Sequence, residues 1–254
     1  MSCYGELERI DAAIFADTQW ETKATYRWLK FLKNESKKYG IPIHTVKQGN
    51  IKEDALISQV RGLKKDGVRW ASMPLFTLGP NGEKGMIRRQ CTYEYKIRWI
   101  KKKQRLIAGY KPRKRIPPGT VEVWMGISTD EANRTKISND KWIDFYYPLI
   151  DLRMTRLDCL NWFKKKNLPE PPRSACIGCP YHHDFEWRKL KNESPEEWQD
   201  AVEFDKAIRK CGGMRGDMFI HPARIPLDEV DLRNAKDHGQ LSLFSDECAG
   251  ICGV

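Results

Sequence analysis

Eight cysteines, at positions 3, 91, 159, 176, 179, 211, 248 and 252, are the residues of this sequence best suited to chemistry. The sequence shows no secretory signal, so a disulfide framework in a reducing cytosol is not expected. Thiol or metal chemistry in a cytoplasmic protein is the better reading. Cys176-Ile-Gly-Cys179 is a C-x-x-C, whose two-residue gap lets both thiolates face one metal, or each other, across a turn that Gly178 permits. Cys248 and Cys252 form a looser pair close to the end of the sequence, read either as further ligands or as plain tail thiols. Cys3, Cys159 and Cys211 stand singly and are read as packing thiols. His182 and His183 follow the C-x-x-C closely enough to ligate, although a histidine in that place more often supports a ligand or lies at the surface.

Charge is the second feature. The 254 residues carry 45 Lys and Arg against 34 Asp and Glu, a formal net charge of +11, which favours polyanionic partners or anionic substrates. Residues 101–115 (KKKQRLIAGYKPRKR) hold eight basic side chains and no acidic one, with Tyr110 among them. Together with the Pro117-Pro118-Gly119 punctuation this predicts a basic loop over 101–118, either a solvated loop or a surface for RNA or nucleotide phosphate. Residues 184–205 reverse the sign, with eight acidic against three basic, and read as a solvated helical surface.

The elements that must position these groups follow from apolar periodicity. Residues 10–16 (IDAAIFA) read as a strand ending at Asp17-Thr18, and 21–39 as a helix. Residues 42–46 read as a second strand, 51–63 as a second helix, 79–85 as a Gly/Pro/Asn loop and 121–127 as a further strand. Strands alternating with helices predict an α/β layered fold. With hydrophobic residues at 40% and charged residues at 31%, the composition excludes a chain that is mainly disordered. No apolar run approaches the ~20 residues of a membrane span, so no membrane partner is expected.

Four segments in order resemble the phosphoadenosine phosphosulfate reductase family, part of the PP-loop ATP pyrophosphatase superfamily. They are AIFADTQWE (13–21), IRRQCTYEYKI (87–97), VWMGISTDEANR (123–134), and YPLIDLRMTRLDCLNWF (147–163) leading to SACIGCPYH (174–182). The resemblance implies a Rossmann-like, mostly parallel sheet flanked by helices over residues 1–165, and a helical cysteine-bearing region over 166–254. It implies that Asp17 and Thr18 border an adenine-nucleotide site, that Gly126, Ser128, Glu131 and Arg134 form part of it, and that Asp151 stands at a strand end beside it. Arg88, Arg89, Lys96 and Arg134 are suited to neutralising phosphate or sulfate. Cys91 resembles the position where cluster-bearing members place cysteine, although they commonly have two there. Cys91, Cys176 and Cys179 would then hold an iron-sulfur cluster, with Cys248 or Cys252 as a fourth ligand; zinc is the alternative, because thiolates suit both. Glu247-Cys248 is similar to the family's Glu-Cys-Gly end, which makes Cys248 the candidate catalytic thiol, though no Gly follows it directly.

The superfamily's first strand and its Ser-Gly-Gly-x-Asp-Ser type phosphate loop have no counterpart here. A start placed downstream of the true one is expected rather than a natural loss, because removing a central strand strips hydrogen bonds and core from a parallel sheet. The implied activity is adenine-nucleotide binding, ATP included, with sulfur chemistry: reduction of a sulfonucleotide, or adenylation-linked sulfur transfer. Its partners would be a sulfur donor or thiol reductant and, for transfer, RNA or DNA. The alternative is a non-catalytic nucleic-acid-binding protein with a structural zinc.

Overall fold

The computed structural model describes residues 1–61, 73–210 and 216–233. Cys211, Cys248 and Cys252 therefore lie outside the described residues. The chain begins with strand β1 (Ala13–Asp17), helix α1 (Lys23–Lys38), strand β2 (Ile43–Lys47) and helix α2 (Ile51–Arg61). Thr22 starts α1 by accepting a hydrogen bond from the Thr25 amide, which satisfies one free donor of the first turn. β1 and β2 pair in parallel, Ala13 opposite Ile43 through Asp17 opposite Lys47. A crossover through a helix is what parallel neighbours require.

Strands β3 (Phe76–Leu78) and β4 (Lys84–Met86) form an antiparallel hairpin, and the Gly/Pro/Asn stretch expected as a loop is its tip. A π-helical turn, Thr92–Ile97, then runs directly into α3 (Arg98–Ile107). The first part of the expected basic loop is thus helical. Lys, Gln, Arg and Leu are good helix formers, and the first residue to stop them is Gly109, at φ 82. β5 (Val121–Trp124) and β6 (Ile143–Tyr146) make a second parallel pair. Short α4 (Pro148–Asp151) and α5 (Arg156–Lys165) follow, the latter opened by a capping box between Thr155 and Asp158. α6 (Asp184–Glu193), α7 (Pro195–Ala207) and β7 (Asp217–Phe219) come next, β7 adding to the free side of β3, and a 3-10 turn (Leu227–Glu229) follows.

The fold is mixed α/β. Its described parallel pairing consists of two separate two-stranded ladders, β1–β2 and β5–β6, so β1 and β5 each keep one edge without a strand partner among the described residues. Consistent with this, β1 is mostly half-buried, where a strand inside a parallel sheet would be covered on both faces. The tightest packing lies elsewhere. Trp187, Phe204, Ile208, Met218 and Ile220 are fully buried, and they share one cluster with Trp20, Ile51, Met73, Leu75 and Tyr95. This core draws on residues from both sides of position 165. Asp205 ties it together: its buried carboxylate accepts from the amides of Ile220 at 2.9 Å and Leu227 at 3.1 Å, and from Arg209.

Candidate functional site

Where β1 ends, the chain turns through Thr18 to Glu21 and meets the C-x-x-C segment. The Ile177 amide donates to the Trp20 carbonyl at 2.8 Å, and Glu21 bridges Cys176 in antiparallel fashion. Gly178 is required here because the Trp20 indole lies against it: a Cβ would stand 2.2 Å from the ring. The indole is held in turn by Asp200, which accepts from its Nε1 at 2.6 Å, and by an edge contact with Phe204 at 4.6 Å. The Cys176–Cys179 turn is thereby fixed to the end of β1 by the core itself.

Cys91 reaches the same place from the π-helical turn. In a regular α-helix, residues five apart are about 140° apart around the axis. The wider π turn, closing i to i+5, brings Cys91, Thr92 and Lys96 onto one side. The result is a cavity of about 90 Å³ lined by Thr18, Cys91, Lys96, Cys176 and Cys179, with the guanidinium-bearing Arg89 and Arg173 at its wall. Arg89 sits over the Tyr181 ring at 5.3 Å.

Burial pushes the Cys176 thiol up, Glu21 adds to the rise, and Lys96 and the Thr18 hydroxyl partly oppose it. Cys179 is also raised by burial. Thr18 Oγ1 lies 3.2 Å from Cys176 Sγ and donates to Glu21 Oε1 at 3.0 Å. The Glu21 side chain is fully buried and accepts from Lys96 Nζ at 3.2 Å. Burial pulls Lys96 down, but Glu21 and Cys176 outweigh it and leave the ammonium favoured. Asp17 points into local structure instead, accepting from the Gln19 amide and the Tyr26 hydroxyl, each at 2.8 Å.

His182 supports the turn from behind, its Nε2 2.9 Å from the Cys176 carbonyl and its ring edge-on to Trp187 at 4.6 Å. Burial lowers its pKa to about 4, which keeps the imidazole neutral. His183 precedes α6, and its amide donates to Glu186 at 2.9 Å.

A second cavity, of about 480 Å³, adjoins the first and shares Arg173 and Ser174 with it. Gly126, Ser128, Glu131 and Arg134 line one side, Leu149, Met154 and Phe163 another. Arg134 donates to Glu131 at 2.7 Å, and its buried Nε has no hydrogen-bond partner. The structure thus gathers Thr18, Arg89 and Lys96 at one cavity and Gly126, Glu131 and Arg134 at the other. Arg88 is exposed and lines neither, as is Asp151 at the end of α4. Sequence reasoning missed Arg173, Ser174 and Glu21. The first two directly precede the C-x-x-C region in PPRSACIGC, which was the available signal.

The donor chemistry of three thiols around one cavity suits a soft metal or an iron-sulfur cluster. Among the described residues, however, no three His, Cys, Asp or Glu side chains stand in a group able to hold a metal ion. The agreement is in residue type and neighbourhood. Among the described residues no helix is long and apolar enough to cross a membrane. Compared with protein-family models, curated proteins and solved structures, the chain matches none.

Proposed function

We propose that this protein binds an adenine nucleotide across the two adjoining cavities and performs sulfur chemistry beside Cys91, Cys176 and Cys179, as its resemblance to the phosphoadenosine phosphosulfate reductase family implies. One observation carries the reading: thiols from positions 91, 176 and 179 meet three cations, Arg89, Lys96 and Arg173, at the end of a parallel strand. On this reading β1–β2 and β5–β6 are two parts of a Rossmann-like sheet, whose strand ends are where such folds hold ligands.

The larger, mainly apolar cavity has the size expected of a small-molecule site and takes the base and sugar. Arg134, whose Nε is left without a hydrogen-bond partner beside its Glu131 pair, faces the anionic groups as they pass into the smaller cavity, and Arg89 adds a cation there. Arg173 is held by Glu186 and the Tyr181 carbonyl, and Lys96 by Glu21. By the resemblance, Cys91, Cys176 and Cys179 are the residues that would hold an iron-sulfur cluster or, in the alternative, zinc, and their thiols would have to draw together from their present positions to do so. A cluster with an open iron would supply a site for activated sulfur. Glu21 keeps Lys96 charged beside the thiols, and His182 fixes the Cys176 carbonyl. A sulfonucleotide reduction needs in addition an accessible nucleophilic thiol, the role the resemblance gives to Cys248.

Titration calorimetry with ATP and ADP on anaerobically purified protein tests the nucleotide half. We expect binding that weakens about tenfold or more in Arg89→Ala and Arg134→Ala, each of which removes a cation from one cavity. Absence of binding by wild type, or unchanged affinity in both variants, refutes it.

A further inference from the structure

Residues 98–115 contain nine Lys and Arg and no Asp or Glu. The structure gives this run a fixed shape. After α3 ends, the chain folds back so that Arg105 donates from Nε to the Lys111 carbonyl at 3.1 Å, and from Nη2 to the Lys114 carbonyl. The Lys114 amide closes a turn on the Lys111 carbonyl at 3.2 Å, and Arg113 adopts φ 66 within it. Ile116, only 8% exposed, anchors the far side. Arg105 is therefore spent on the backbone, and its effect is to hold Lys111, Arg113, Lys114 and Arg115 at set spacings, all exposed.

Arg98 and Lys102 are exposed on α3 itself. Among the described residues, the one ion pair made by the whole run is Lys101 with Asp140. Arg98, Lys102, Lys111, Arg113, Lys114 and Arg115 are thus six exposed cations that make no ion pair among the described residues. A polyanion with regularly spaced charges is the ligand that suits them. α3 is about 15 Å long at 1.5 Å per residue, enough to follow several phosphates of one strand. The run offers no free aromatic platform for unpaired bases. Trp99 has Lys102 Nζ 3.7 Å over its ring and donates its Nε1 to the Glu94 carbonyl, and Tyr110 is half-buried.

We propose that α3 and the Arg105-braced turn dock the sugar–phosphate backbone of a double-stranded nucleic acid. The surface lies outside both cavities, so its test is independent of the nucleotide and thiol reading. Fluorescence anisotropy of the full chain with labelled duplex RNA and duplex DNA, across a salt series, reads it directly. With six phosphate contacts the slope of log K against log salt is about −5, so binding weakens about 10³-fold between 50 and 200 mM salt.

Replacing Lys111, Arg113, Lys114 and Arg115 together by Gln should bring the slope to about −2. These side chains are exposed, and a thermal melt confirms that the variant folds. A control with Lys30, Lys37, Lys164 and Lys165 replaced by Gln removes the same charge elsewhere and should leave the slope unchanged. The proposal is overturned if the loop variant binds as wild type does, or if the control loses as much. It is equally overturned if a single strand of the same length binds more tightly than the duplex, or if only phosphatidylserine vesicles bind, through the exposed Leu106 and Ile107.

Discussion

Replacing Gly178 by alanine drives a methyl group into the Trp20 indole. The new Cβ would meet ring carbons at 2.2, 2.8 and 3.1 Å, so the ring or the cysteine turn must shift by about 1.2 Å to regain ordinary contact. The ring has little room to yield, being 4% exposed, hydrogen-bonded to Asp200 and packed on Phe204. Overpacking of this kind costs about 1–3 kcal/mol, which for a chain of this size lowers Tm by about 3–10 °C. Differential scanning fluorimetry reads this, and thiol accessibility to a maleimide probe reads the displacement of Cys176 and Cys179. In a Trp20→Ala background the obstacle is gone, so Gly178→Ala should become neutral or stabilise by up to about 1 kcal/mol, as a Gly→Ala change does at a compatible backbone. An unchanged Tm in the wild-type background, or an equal loss in both backgrounds, would refute the claim that the Trp20 ring fixes the cysteine turn.

Lys96→Met leaves the buried Glu21 carboxylate without its cation and should destabilise by about 3 kcal/mol in urea unfolding, with Glu21→Gln added to it recovering most of the loss. If the double variant is no better than the single, the pair is not the cause. His182 has its folded pKa near 4, below its ordinary 6.5, so the unfolded chain takes up the proton first as pH falls. The stability it supports is complete above pH 6.5 and is lost between 6.5 and 4, about 2 kcal/mol of it by pH 5. Urea unfolding at pH 7 and pH 5 should show that drop, reduced in His182→Gln; an identical slope in the variant assigns the pH dependence to other groups.

Short-range pattern was legible where one element could be read by itself. The β1–α1–β2–α2 succession follows apolar runs and caps that lie in single stretches, and its expected boundaries are off by only a few residues. That Cys91 lines the same cavity as Cys176 and Cys179 was legible only from the resemblance, since the C-x-x-C spacing links the last two alone. The reason they meet was not legible, because it depends on a π-helical turn and on Trp20 pressed against Gly178, contacts between residues far apart in sequence. The basic run shows the opposite failure: charge alone suggested a loop, while the helix propensity of Lys, Gln, Arg and Leu carried α3 on to Ile107. Glu21 was illegible for a related reason. A lone acidic residue after a strand gives no hint that its side chain will be fully buried against a lysine 75 positions away.

Joint ligation by Cys91, Cys176 and Cys179 is read out by metal and acid-labile sulfide analysis, with a visible spectrum, of wild type and of Cys91→Ser, Cys176→Ser and Cys179→Ser purified without oxygen. Iron and sulfide near four each per chain are expected in wild type, falling sharply in each variant while the variants remain folded. Zinc near one with no sulfide would keep the ligand set but replace sulfur chemistry by a structural site. Wild-type protein without bound metal, or metal content indifferent to all three substitutions, would contradict it.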